Sequence, residues 1–147
     1  HALVYALQNI ANLGQAHAAI AYVMSGADHQ AYPDTLFFTS ADPTLAWLAL
    51  VLILAGEFSV AFFGIKGAWT MFAARKASAE QFNAAKSGGV WAAGLALLTW
   101  FGLFAVIGGA FFQMWQTEAG DNSLRGAFFF ALASAIVMLF VSQTPDD

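Results

Sequence analysis

The sequence predicts an all-α polytopic membrane protein, a small four-helix transmembrane bundle. Three observations predict it. The 147 residues are 60% hydrophobic and only 10% charged, whereas an ordinary soluble domain is about 25% charged. Three stretches stay apolar for about twenty residues, the length that crosses a bilayer at helical rise. All charged residues but Glu57, Lys66 and Arg125 lie outside those stretches.

Other readings are narrowed by composition. A soluble domain of this length cannot hide fifteen Phe and five Trp among so few charges. One transmembrane domain over residues 1–147 is the economical organisation. Cysteine is absent, so there is no disulfide framework and no thiolate metal site. The net charge of −4 comes without a basic patch, which argues against nucleic acid as a partner.

Ala2 to Leu13 is apolar with Gln8, Asn9 and Asn12. It reads as a partial span over 1–13, the end of a first helix whose beginning is expected upstream of His1. The alternative takes Ala2 to Met24 as one complete span, although Gln15 and His17 add to its polarity. Gln15 to Met24 otherwise reads as a short helix at the interface. Residues 25–43 form a loop, punctuated by Gly26, Asp28, Pro33, Asp34, Asp42 and Pro43. Inside it, Leu36-Phe37-Phe38 is expected to dip back toward apolar surroundings. Asp42 is placed to cap the next helix, with Pro43 in its first turn.

The second span covers 44–69. From Leu45 to Phe63 only Glu57 and Ser59 interrupt it, and nineteen residues rise about 28 Å. Steps of four and three lead from Glu57 to Ala61, Gly64 and Ala68. The same steps lead from Phe58 to Phe62, Ile65, Trp69 and Phe72. One stripe is small and the other bulky. Small residues let helices approach closely in lipid, so the Glu57 side is expected to face the bundle. Phe58, Phe62 and Trp69 are then the candidate surface for lipid or a partner.

Residues 70–86 form a loop holding Arg75, Lys76, Glu80 and Lys86, into which the second helix continues for a turn or two. Ser78 with Gln81 has the spacing of a capping box. The third span covers 87–112, with Gly88, Ala92, Thr99, Gly102 and Gly109 as its small or polar stripe. Trp115 stands where an interfacial aromatic is expected. Glu118 to Asn122 reads as a polar turn. The fourth span covers 124–142, with Ala127, Ala131 and Ala135 on one face.

Orientation follows from the cations. Lys66, Arg75, Lys76 and Lys86 lie between spans two and three, the 25–43 loop has no Lys or Arg, and only Arg125 opens the fourth span. Positive charge favours the cytoplasmic side. The 70–86 loop is therefore expected inside, the 25–43 loop outside, and both termini in the cytoplasm of a bacterial inner membrane.

Glu57 is the sharpest candidate for function. An intramembrane acid is a site by default, for proton relay, ion binding or a ligand contact. Its structural counterpart is an acid that fixes helix packing through hydrogen bonds, and the two readings weigh about equally. Thr99 and Asn9 are expected at similar depth, as partners for the carboxyl. His1, His17 and His29 form no spaced ligand cluster, and the last two read as outer-surface residues. Gly108-Gly109 lies within an apolar span, not after a strand, so it reads as packing rather than a nucleotide loop.

Phe82-Asn83-Ala84-Ala85-Lys86, Gly94-Leu95, Trp100, Ile107-Gly108-Gly109 and Met114-Trp115-Gln116 follow in that order, below Glu57 and Gly67-Ala68-Trp69. In these residues the chain resembles the bacterial predicted small integral membrane proteins grouped as the domain-of-unknown-function 2165 family. The resemblance covers nearly the whole chain and is strongest between Glu57 and Gln116. It implies a four-helix membrane protein with a longer first helix. Many such proteins carry an acid directly after the Gly-Gly pair, where this chain has Ala110.

The resemblance brings no activity, and no catalytic constellation is visible. The expected function is that of a non-catalytic accessory or stabilising subunit in a larger membrane complex, a respiratory or photosynthetic assembly being one type that fits. The alternative is a small transporter or channel-like protein using Glu57. No cofactor is expected beyond lipid. Pigment or quinone contact would come only through a partner.

Overall fold

The computed structural model describes residues 1–36 and 38–143, and no strand occurs among them. Three helical segments are long and apolar enough to cross a membrane: Pro43–Ala74, Ala79–Phe111 and Glu118–Gln143. Ala2–Ala11 is apolar but short.

The first helical stretch is in two pieces, α1 (Ala2–Ala11) and α2 (Leu13–Ser25), divided at Asn12. Asn12 has φ −120° and ψ 39°, outside the helical region, and its side chain donates to the Gln8 carbonyl. A short amide that bonds the local backbone offers it an alternative to the helix. Both pieces pack on the long helix α3 (Pro43–Ala74). Gly26 closes α2 in the left-handed conformation.

Both expected caps form. Asp42 Oδ1 accepts from the Thr44 amide at 2.8 Å, with Pro43 in the first turn of α3. Ser78 Oγ accepts from the Gln81 amide at 3.4 Å and opens the short helix α4 (Ala79–Ala85). α3 does run past Trp69, to Ala74.

α3 is the hub. Its closest neighbour is α5 (Ser87–Ala96), and α5 in turn packs on α6 (Glu118–Gln143). The crossing of α3 and α5 is backbone against backbone. A Cβ on Gly67 would lie 2.5 Å from the Gly89 nitrogen and 2.7 Å from the Gly88 carbonyl carbon. The seam around it is alanine-rich: Ala61, Ala92, Ala93, Ala96, Ala127 and Ala131 are all buried. Close van der Waals packing is the main attraction left when lipid removes the hydrophobic drive.

This seam corrects the small stripe read from the sequence. Ala68 is exposed, and Gly67 is the buried residue at that level. The inward line of α3 runs Leu50, Glu57, Val60 and Gly67. Those steps of seven and three average 3.4 residues per turn, shorter than the line through Ala68. Inter-helix wrapping, not straight-helix spacing, set the face.

The third span also departs from expectation. After α5 the chain winds as a π-helix from Leu97 to Phe111, with hydrogen bonds reaching five residues back, as from the Phe112 amide to the Ile107 carbonyl at 2.9 Å. The wider winding moves the inward line to Ala96, Trp100, Phe104 and Gly109, in steps of four and five. Thr99 and Gly109 remain buried as read, while Gly88 and Gly102 are only partly covered.

The break before the fourth span sits earlier than the polar residues suggested. Gln113 takes a left-handed conformation at φ 53°, and a single 3-10 turn follows over Met114–Gln116. Glu118 to Asn122 is already helical. Acidic residues in a first helical turn suit the helix dipole, so their polarity marks a helix start here. Ala127 and Ala131 are buried, whereas Ala135 is half-buried and Ser134 takes over at that level.

The 25–43 loop is held by glutamine. Gln116 Oε1 accepts from the Ala31 and Tyr32 amides at 2.9 and 2.8 Å, and Gln116 Nε2 donates to the Tyr32 carbonyl at 2.9 Å. Trp115 meets Tyr32 edge to face at 5.6 Å. Leu36 does not dip inward; it is 87% exposed. Phe38 is exposed too, although its ring edges against Phe111 and Phe112. Phe37 lies outside the described residues.

Candidate functional site

Glu57 sits midway along α3 and is 2% exposed. α1 covers it. Ala2, Ala6 and Asn9, in steps of four and three, form the face that α1 presents. Ala2 and Ala6 are small enough to bring the two backbones close. That approach delivers the Asn9 amide to the carboxyl: Nδ2 donates to Oε2 at 3.0 Å and to Oε1 at 3.2 Å. The same helix face therefore supplies both the close packing and the polar partner.

Thr99 comes near without joining. Its hydroxyl donates to the Leu95 carbonyl at 2.9 Å, one turn back in its own helix. Its side chain fills the notch at Gly56, where an added Cβ would collide with Thr99 Oγ1. Among the described residues no hydrogen bond links Thr99 to Glu57, and no ion pair reaches the carboxyl. Of the three expected polar residues, the fold pairs Asn9 with Glu57 and gives Thr99 to packing.

This contact has a direct test. Gly56→Ala is expected to destabilise the packing of α3 on the π-helical stretch by about 1–3 kcal/mol through overpacking. Thr99→Ser keeps the Oγ1 that the new Cβ meets and should rescue little. Thr99→Ala removes that atom and should recover most of the loss in the double variant. Reversible unfolding in mixed micelles measures both; equal stability of Gly56→Ala and wild type would refute the contact.

The histidines stand apart from one another. The His1 ring lies between Trp100 and Phe130, each with its centroid 4.8 Å away. His17 stacks on Trp47 at 4.3 Å, and its Nε2 is 3.0 Å from the Pro43 carbonyl. His29, in the 25–43 loop, is half-buried, and both its ring nitrogens are enclosed with no hydrogen-bond partner among the described residues. No group of three His, Cys, Asp or Glu side chains among the described residues is arranged to hold a metal.

The bulky stripe points the other way from Glu57. Phe58, Phe62, Ile65, Trp69 and Phe72 are all exposed, Trp69 to 71%. Sequence reading missed Gln116, whose side chain ties the 25–43 loop to the turn before α6; its place in Met114-Trp115-Gln116 was the signal available.

A helical chain with three membrane-length apolar segments, a buried acid between α1 and α3, and a bare aromatic flank defines a small integral membrane protein. A family profile described as predicted small integral membrane protein (DUF2165) matches residues 1–144. The chain belongs to that family. No curated protein and no solved structure matches it.

Proposed function

We propose that this protein is a non-catalytic accessory or stabilising subunit of a larger membrane complex, docking through the aromatic flank of α3. One observation carries the reading. α3 is the hub of the fold, yet only 22% of its apolar stretch is buried by the rest of the chain. The uncovered part includes Phe58, Phe62 and Trp69 in one line. Large exposed apolar patches rimmed by polar residues mark interaction or lipid surfaces, and aromatic residues are enriched where protein partners meet.

A photo-crosslinking residue placed at Phe62 or Trp69, at native expression level, is expected to trap one larger membrane protein. The same residue at Phe129, exposed on α6, serves as the control. Crosslinks to lipid alone at all three positions, with the protein running as an isolated monomer in a mild-detergent native gel, would overturn the reading.

In this proposal α1 and α2 together make the fourth element of the bundle, running antiparallel to α3. Asn9 meets Glu57 and His17 meets Pro43, so the order of contacts along α3 is reversed. The protein lies in a bacterial inner membrane with the 70–86 loop and the C-terminus on the cytoplasmic side. The support is Arg75, Lys76 and Lys86 in the 70–86 loop, Lys66 in the part of α3 that leads to it, and no Lys or Arg in the 25–43 loop. Cysteines at Ser40 and Ser78 check it. An impermeant thiol reagent should label Ser40→Cys in intact cells and spare Ser78→Cys; the reverse pattern would invert the topology.

A further inference from the structure

The side of α3 that faces away from the bundle carries a cation among its apolar residues. Leu48, Val51, Ala55, Phe62, Lys66 and Trp69 follow one another along it in steps of three, four or seven, and all are exposed. Building on the docking role proposed above, we infer that a transmembrane helix of a different polypeptide covers this side and carries an Asp or Glu level with Lys66.

This side does not depend on how α1 docks. Lys66 lies nine residues beyond Glu57, about two and a half helical turns. It therefore points away from the face to which α1 brings Asn9. The length suits a crossing helix: Leu48 to Trp69 rise about 32 Å, against about 30 Å of hydrocarbon. Ala55 is the small residue on the line, where a second backbone can come close.

Lys66 sets the chemistry of that helix. Leu45 to Ile65 rise about 30 Å, one hydrocarbon thickness, so Lys66 stands at its edge. No ion pair and no side-chain hydrogen bond reaches Lys66 among the described residues. Arg125, near the start of α6, is by contrast matched by Asp121 at 2.7 Å. A helix seated on Phe62 and Trp69 desolvates the ammonium between them, which is costly unless an opposite charge meets it. A carboxylate at the same depth meets it, and the attraction there is stronger than in bulk water. Such a pair also fixes the register of the two helices.

The same cation argues against a second copy of this chain. Copies share one orientation in the membrane, so a two-fold contact along this side sets Lys66 against Lys66, a repulsive arrangement. The acid that α3 itself carries, Glu57, is buried on the opposite face.

A photo-crosslinking residue at Phe62, one turn before Lys66, can be combined with charge changes at native expression level, and the trapped peptide sequenced by mass spectrometry. The peptide is expected to come from a membrane-length apolar run of another protein, with an Asp or Glu within a turn of the end of that run. Lys66→Glu should lower the crosslink yield about fivefold or more, and changing the partner's acid to Lys should restore most of it. Lys66→Met removes the charge without reversing it and should also lower the yield; it decides the matter if Lys66→Glu fails to insert. Lys76→Glu, exposed beyond the end of α3, is the control and should change the yield little. A trapped partner without an acid at that level, a yield indifferent to Lys66, or no recovery on charge exchange would overturn this inference and leave the docking role standing. Lipid alone, or a second copy of this chain, in the crosslink would overturn both.

Discussion

Gly67→Val is expected to prevent the α3–α5 crossing and with it the folded bundle. The reason is that no side chain separates the two helices there. A Cβ on Gly67 meets the backbone of Gly88 and Gly89 at 2.5 to 3.1 Å, and a Cβ on Gly88 meets the backbone of Gly67 at 2.8 Å. Backbone cannot rotate aside as a flexible side chain can. Even Gly67→Ala should cost about 1–3 kcal/mol, and a β-branched side chain adds two more atoms at the same point. Gly126→Ala is the control. Nothing lies within 4 Å of a Cβ there, so the better helix propensity of Ala should add up to about 1 kcal/mol. Unfolding in mixed micelles ranks the three variants. Gly67→Val with wild-type stability would show that the crossing is looser than described.

Asn9→Leu is expected to cost about 1–3 kcal/mol, because it leaves the Glu57 carboxyl buried without its hydrogen-bond partner. Asn9 supplies every hydrogen bond made to the Glu57 carboxyl among the described residues. Glu57→Gln should cost less, since its amide oxygen still accepts from Asn9. Glu57→Leu strands the Asn9 amide instead. The double variant Asn9→Leu with Glu57→Leu removes both polar groups, so its loss should fall well below the sum of the single losses. Coupling of this kind is what a double-mutant cycle measures. Additive losses would mean that the two side chains do not interact. If Glu57→Gln folds normally yet abolishes a measurable proton or ion flux in vesicles, the transport reading replaces the structural one.

The two results bear on different levels of the molecule. The Gly67 crossing holds the long helices α3 and α5 together. The Asn9–Glu57 bond fixes where α1 docks, and its loss should free α1 before it loosens the rest. Proteolysis or amide exchange in α1 alone, in the Asn9→Leu variant, would display that order, since local opening follows local contact density.

How much was legible in the sequence divides along a physical line. Properties that depend on residues near in sequence were readable. Membrane-length apolar runs, the Asp42 and Ser78 caps, the extension of α3 beyond Trp69 and the exposed Phe58–Trp69 flank all follow from local composition and helical spacing. So did the burial of Glu57, because an acid amid small residues on an apolar helix has nowhere else to go. The tertiary structure alone decided which helix answers that acid. Asn9 and Thr99 were equal candidates by depth, and the choice went to Asn9 because Ala2 and Ala6 let α1 come close, while Thr99 satisfies its hydroxyl on Leu95 and packs on Gly56. It also decided that Gly67 rather than Ala68 lies in the seam, since wrapping of α3 around α5 shifts the buried line by one residue over three turns. The π winding after Ala96 was hidden for the same reason: a step of four or five instead of three or four changes which face looks inward, and no single residue announces it. Side-chain chemistry and spacing place a helix in the membrane, but the distances between backbones decide which of its polar groups meet.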